Sequence, residues 1–167
     1  VLARLEVFAS CPTRQRRVEP QCRLHADSTF VIRASSEASG DYFRQHLSTD
    51  VGQLAETAGV IVGWGSLGPH QERMGFRFTG AVAVYVAERH RRRGISGRLM
   101  EALLKAGRAR QLHVVLATID AANEPSLQLH ARHGFTQAGM FPEAGCKFGE
   151  WRDVIYLQRK LDDRPVP

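Results

Sequence analysis

An α/β layer structure with a mixed sheet is the fold class this 167-residue chain predicts, and three observations predict it. An unbroken apolar and β-branched run, Val82-Ala83-Val84-Tyr85-Val86, is followed by a basic glycine-containing turn and then by an apolar stripe at helical spacing. A second β-branched run, Val114 to Ile119, leads into another helix signature that ends at Gly134. Two strand-like stretches then close the chain around a glycine-containing hairpin. Strands that precede and follow helices in this order belong to a layered α/β fold.

Taken in order, Leu2 to Phe8 predicts a first strand, with apolar Val1, Ala3, Leu5 and Val7 alternating against Arg4 and Glu6. Cys11-Pro12 ends it, and Thr13 to His25 is a weak, basic helical stretch that Pro20 must kink or split. Asp27 to Phe30 is loop-like and leads into Val31-Ile32; a short helix from Ser35 to about His46 follows. Val51 to Thr57 and Val60 to Leu67 are strands joined by an Ala58-Gly59 hairpin turn, and Gly68-Pro69 ends the second. A polar connection, His70 to Gly75, leads through Phe76 to Thr79 into the central run. The helix after it extends from about Arg93 to Arg110, with Ile95, Leu99, Ala102, Leu103 and Ala106 on one face. The last helix starts at Asn123-Glu124-Pro125, where proline suits the first turn, and carries Leu127, Leu129 and His130. Phe135 to Ala144 and Trp151 to Leu161 are the closing strands. Residues 1–161 form a single domain, and 162–167 a loose tail.

Composition narrows the class. Hydrophobic content of 43% and charged content of 24% are ordinary for a globular protein. No apolar run is long enough to span a bilayer and no signal-peptide pattern opens the chain, so no membrane partner and a cytoplasmic location are expected. Three cysteines without C-x-x-C spacing, and seven scattered histidines without H-E-x-x-H, indicate neither a disulfide framework nor a metal site. The formal net charge is +6, and five arginines lie between Arg89 and Arg98. Such a cluster suits a polyanionic ligand or nucleic acid. Against nucleic acid, the arginines are not interleaved with aromatic residues and they belong to a strand–turn–helix.

That strand–turn–helix can hold phosphate. The first N–H groups of a helix lack partners within it and point at whatever sits on its N-terminus. Gly94 and Gly97 allow close approach of a ligand to the backbone, and arginine offers bidentate donors. The spacing is neither G-x-G-x-x-G nor a P-loop. A solvated arginine run capping a surface helix is the plain alternative.

Three motifs carry a family resemblance. Arg91-x-x-Gly94-x-Ser96 resembles the pyrophosphate loop of the GNAT N-acetyltransferases, with Ser96 where a second Gly or Ala usually stands. Asn123-x-x-Ser126-x-x-Leu129-His130-x-x-x-Gly134-Phe135 resembles the family's second hallmark. Gly145-Cys146-Lys147-Phe148-Gly149-Glu150-Trp151-Arg152-Asp153 is similar to the G-x-K-F-G-x-W-x-D segment of the phosphinothricin and methionine sulfoximine acetyltransferase branch, as is Val62 to Pro69. Ser28-Thr29-Phe30 resembles the branch's S-T-x-F.

The resemblance implies a GNAT fold, a mixed sheet of about six to seven strands with about four helices. It implies transfer of an acetyl group from acetyl-CoA to the primary amine of a small amino-acid-like acceptor by direct attack, with no metal. Cofactor contacts would fall on Val84, Tyr85 and Val86, on Arg92, Arg93, Gly94, Ile95, Ser96 and Gly97, and on Asn123. His130 stands where many relatives place a proton donor for the leaving thiolate. Phe30, Arg77 and Trp151 are the acceptor-site candidates. A homodimer is implied as well.

One position departs from the branch. It reads T-V-E into the central strand, the glutamate serving as general base, and here Thr79-Gly80-Ala81 stands instead. The amine must be neutral to attack, so Glu72, His70, a water chain or the acceptor's own free-amine fraction must replace it. Acetylation of another amine, such as a polyamine or a protein N-terminus, and a non-catalytic acyl-CoA-binding protein are the competing readings.

Overall fold

A computed structural model describes residues 51–167 and the backbone of 31–34. The expected strand at Leu2 to Phe8, the helical stretches at 13–25 and 35–46, and Phe30 lie outside the described residues. Seven strands, β1 (Val31–Ala34), β2 (Val51–Thr57), β3 (Val60–Pro69), β4 (Thr79–Val86), β5 (Val114–Asp120), β6 (Thr136–Lys147) and β7 (Glu150–Lys160), form one sheet. Two α-helices are present among the described residues, α1 (Ile95–Ala109) and α2 (Glu124–Arg132).

The strand order is β1-β2-β3-β4-β5-β7-β6. Neighbours are antiparallel except β4 and β5, so the sheet is mixed. The last strand inserts between β5 and β6, which makes β6 an edge. At the β2–β3 connection, Ala58 and Gly59 both have positive φ (48° and 77°), as a two-residue hairpin turn requires. Phe148 and Gly149 (54° and 81°) make the same kind of turn between β6 and β7.

Three boundaries differ from the sequence expectation. Residues 74–76 form a 3₁₀ turn, and β4 begins only at Thr79. β6 runs on to Lys147 instead of ending at Ala144, because irregularities between Gln137 and Gly139 and between Phe141 and Gly145 absorb extra residues without ending the pairing. The stretch expected as a loose tail is anchored over its first residues. Asp162 lies 2.6 Å from His113 Nδ1 and 3.1 Å from the Arg164 guanidinium, and the latter stacks 5.0 Å from the Phe78 ring centroid.

Strand alternation divides side chains between two faces. Val82, Val84 and Val86 of β4 and Val115, Ala117 and Ile119 of β5 are buried against α1. On α1 the buried residues are Ile95, Leu99, Met100, Leu103, Leu104 and Gly107. Ala102 and Ala106 are only half-buried, so the seam is rotated toward Met100 and Leu104 relative to the expected stripe. The helix lies close on β3 because Gly63 and Gly65 face it. A Cβ on Gly65 would sit 2.7 Å from Leu103 Cδ1, and one on Gly63 would sit 3.2 Å from Ile95 Cγ2. Helix α2 covers the same face: Leu127 and Leu129 pack on this core, and the His133 ring stands against Gly97 of α1.

Candidate functional site: a split between two parallel strands

β4 and β5 pair only over Thr79–Val114, Gly80–Val115 and Ala81–Leu116. Beyond Ala81 the two strands part, while β4 keeps its pairing with β3 as far as Val86. A gap therefore opens toward the C-terminal ends of two parallel strands, where α/β sheets bind ligands. Main-chain direction follows from the bonds at the strand start. Phe78 O accepts from Val114 N on the β5 side, and Thr79 O accepts from His70 N on the β3 side. Alternation then turns the N–H and C=O groups of Val82, Val84 and Val86 toward the gap and those of Tyr85 toward β3. Tyr85 instead stacks its ring on Trp64, with centroids 4.2 Å apart, on the face away from α1.

Helix α1 starts at the mouth of this gap. Gly94 is its N-cap, with φ of 77°, no side chain caps the end, and no acidic residue stands in the first turn. The first intrahelical bond is Arg98 N to Gly94 O, so Ile95, Ser96 and Gly97 present N–H groups with no partner inside the helix. Ile95 can serve only through its backbone, because its side chain is in the core. Arg92, also left-handed at φ of 60°, and Arg93 are exposed beside this end. The field is cationic: burial, then the charges of Arg93 and Arg89, hold the His90 pKa below its ordinary value. Positive dipole end, arginines and uncapped amides together could hold an anion.

At the end of β5, Asp120 Oδ1 accepts from Ala122 N at 2.9 Å and turns the chain into α2. Asn123 is the N-cap, its Oδ1 accepting from Ser126 N at 3.3 Å, so the amide NH₂ is the donor it can offer a ligand.

His130 is buried, 4% exposed, and edge-on to Phe135 with centroids 5.0 Å apart. Its Nδ1 lies 2.7 Å from Ser126 O, which assigns the proton to Nδ1 and leaves Nε2 as an acceptor. Burial first, then the charge of His133, lowers its pKa, against the raising effect of the bond to Ser126. A neutral imidazole with its one N–H committed can take a proton but holds none to give at Nε2.

Of the acceptor-site candidates among the described residues, Arg77 lies at the opposite end of β4 from the gap, and Trp151 lies beyond the C-terminal end of β5, where Asp120 pairs with Val154. Arg77 lies before the start of β4, roughly 25 Å from the helix N-terminus at ~3.3 Å per strand residue. There it donates to Met74 O at 3.2 Å, its guanidinium 4.5 Å from the Phe78 ring centroid. Trp151 is 70% exposed on the β6–β7 hairpin. Ala81 occupies the vertex, in the last pair before the strands part.

Sequence reasoning missed the gap's other wall. Leu116, Thr118 and Asp120 alternate with buried Val115, Ala117 and Ile119, so Thr118 lies past the vertex on the face away from α1, directly opposite Tyr156 of β7. The polar Thr118 and Asp120, two residues apart in an otherwise apolar run, were the available signal.

The acetyltransferase (GNAT) family model matches residues 16–135. An L-methionine sulfoximine/L-methionine sulfone acetyltransferase of Pseudomonas paraeruginosa is 39% identical over 108 residues, 65% of this chain and 63% of its own length. A phosphinothricin N-acetyltransferase of Streptomyces viridochromogenes is 38% identical over 114 residues, 68% of this chain and 62% of its own length. The chain thus spans less than two thirds of either relative. Among solved structures, yncA of Salmonella typhimurium with its cofactor acetyl-CoA superposes with a TM-score of 0.69 at 34% identity, over 71% of this chain and 68% of that one. With the family model matched over more than two thirds of its length, and with a parted β4–β5 pair facing an uncapped helix, the chain belongs to the acetyltransferase (GNAT) family.

Proposed function

We propose that this protein transfers the acetyl group of acetyl-CoA to the primary amine of a small amino-acid-like acceptor. The observation that carries the reading is the parting of β4 from β5 beyond Ala81 at the N-terminus of α1. The residues fit the cofactor: the amides of Ile95, Ser96 and Gly97, with Arg92 and Arg93, would hold its pyrophosphate, and Asn123 would donate to its arm. The names of the two relatives supply the acceptor class.

Acetyl-CoA supplies an activated thioester. Main-chain N–H groups of Val84 and Val86 turn toward the gap and would hold the acetyl oxygen as charge builds on it. The attacking amine must shed a proton, and the departing thiolate, with an ordinary thiol pKa near ~8.5, leaves more easily if it gains one. Ala81 can do neither. With neutral His130 holding no proton to give at Nε2, the acceptor's free-amine fraction would attack, and the proton it sheds on acyl transfer would pass to the departing sulfur or to solvent.

The test is thiol release from acetyl-CoA with L-methionine sulfone and with phosphinothricin, the acetylated product identified by mass. Release that neither acceptor stimulates would refute the reading. The missing carboxylate at position 81 favours one alternative, a non-catalytic acyl-CoA binder, which would bind acetyl-CoA tightly and turn over no amine at any pH. A homodimer, on resemblance, and a cytoplasmic location and a single domain over 1–161, on composition and length, belong to the same reading. Sedimentation, fractionation and limited proteolysis test them.

A further inference from the structure

Helix α2 ends on a histidine that the acetyl-transfer reading does not use. His133 is its C-cap, and the ring is half-buried. Nδ1 lies 2.8 Å from Leu129 O, four residues back, which assigns the proton to Nδ1 and leaves Nε2 for a partner beyond the helix. Arg159 of β7 donates to the main-chain oxygen of the same residue. Backbone and near ring edge of His133 are thus both held.

What Nε2 faces is the first turn of α1. His133 Cε1 and Nε2 lie 3.7 and 3.9 Å from the point where a Cβ of Gly97 would stand. The Cα–Cβ direction in an α-helix tilts toward the N-terminus, so atoms beside that point lie on the N-terminal side of Gly97. Toward that side point the N–H groups of Ile95, Ser96 and Gly97, which have no partner inside the helix. Because Gly97 has no side chain, nothing of its own stands between the ring edge and a ligand on those amides.

We propose that His133 is a further binding residue for the cofactor's pyrophosphate, its Nε2–H donating to a phosphate oxygen once the ring is protonated. The inference rests on the acetyl-transfer reading, which puts that pyrophosphate on α1. Neutral His133 offers a phosphate only a lone pair at Nε2, whereas the imidazolium offers a charge-assisted donor. Among the described residues, the ionisable groups about the ring are His130 on its own helix, close enough for their charges to interact, and Arg159 from β7, with Arg108 beside it. On α1, Arg98 follows Gly97, and Arg92 and Arg93 precede the helix. An anion seated among them favours the cationic ring, so binding takes up a proton. That proton comes from the buffer and stays on Nε2 while the cofactor is bound; acyl transfer does not consume it.

Calorimetry in buffers of different ionisation enthalpy reads this uptake without turnover. The probe is 3′-dephospho-CoA, because the monoester 3′-phosphate of CoA, with a second pKa of about 6, would itself titrate. His90→Asn is the parent, because His90 also lies among the arginines. An opposite charge at ~4–6 Å changes proton affinity by about tenfold at the low end, and the effect is reciprocal. Uptake should therefore reach about half a proton at its maximum, with binding about 10-fold tighter at the acid limit than at the alkaline one. Adding His133→Gln should abolish the uptake, leave affinity at the alkaline limit within about twofold, and lower it about 10-fold at the acid limit. A ring that only wedges α1 against α2 would, when replaced, weaken binding by one factor at every pH. That result, uptake that survives His133→Gln, or binding to the parent without uptake would each overturn the assignment. The last of these needs no change at position 133, so it does not depend on whether that variant folds. Failure of the unsubstituted protein to bind either CoA or 3′-dephospho-CoA at any pH would strike the acetyl-transfer reading itself, and this inference with it.

Discussion

Gly94 and Gly59 offer a matched pair that separates backbone strain from ligand contact. Both have φ of 77°, and a Cβ built on either meets nothing within 4 Å. Alanine at either position therefore costs only what a left-handed conformation costs an L-residue, about 1–2 kcal/mol. At about 2–4 °C per kcal/mol for a chain of this size, each variant should lose roughly 2–8 °C in Tm, and by similar amounts. Ala58, at φ of 48° in the same hairpin as Gly59, indicates that the fold tolerates such a residue. Function should divide them. Gly59 sits in the β2–β3 hairpin, whereas Gly94 caps α1, where a methyl would stand in the path of a phosphate approaching the free amides. Gly94→Ala is expected to weaken acetyl-CoA binding at least about 10-fold, a loss of about 1.4 kcal/mol. Gly59→Ala should leave it within about twofold. Isothermal titration of acetyl-CoA, beside thermal melts of the unliganded variants, gives both readings. Equal acetyl-CoA affinities in the two folded variants would sink the assignment of the α1 loop to phosphate, because the strain is common to both and only the location differs.

Three further outcomes are expected. With Ala81 in place of a carboxylate, the rate at saturating acetyl-CoA should climb with pH, since an α-amine near pKa ~9 is only about one per cent neutral at pH 7. Ala81→Glu should flatten that profile and raise the neutral-pH rate by ~10²-fold or more, and a bell-shaped wild-type profile with brisk turnover at pH 7 would contradict this. Gly65→Ala should cost about 1–3 kcal/mol by overpacking, because its Cβ would lie 2.7 Å from Leu103 Cδ1 and 3.1 Å from Ala83 O in a fully buried region; an unchanged Tm would show that α1 can shift. Burial holds the His130 pKa below its ordinary 6.5, so between those two values the unfolded chain binds more protons than the native one. The stability this contributes is whole above about pH 6.5 and is lost as pH falls toward the folded value. His130→Gln should therefore make Tm less steep between pH 7.5 and 5 than in the parent, both measured in a His90→Asn background because His90 shifts the same way. Parallel curves would refute the buried neutral histidine.

Much of the chain could be read from local pattern alone. The Val82–Val86 run, the helix beyond it, the Ala58-Gly59 turn and the Asn123 helix start each depend on residues within a few positions of one another, where side-chain period and turn chemistry act. The motifs about Gly94 and Asn123 pointed to an anion site and to a family for the same reason. Other features were decided by partners distant in sequence. Where β4 parts from β5 depends on a register between residues some 35 positions apart, and no periodicity within either strand records it. The placing of β7 between β5 and β6 likewise sets Tyr156 opposite Thr118, a pairing invisible in either strand. Arg77 shares a strand entry with the central run, yet strand length carries it away from the site. His130 was legible as a motif residue, but its burial and its bond to Ser126 O, which reverse its readiness to give a proton, arise only when α2 packs on the sheet. Local sequence determined the elements and the anion-holding turn; long-range pairing decided the gap, its walls and the protonation of what surrounds it.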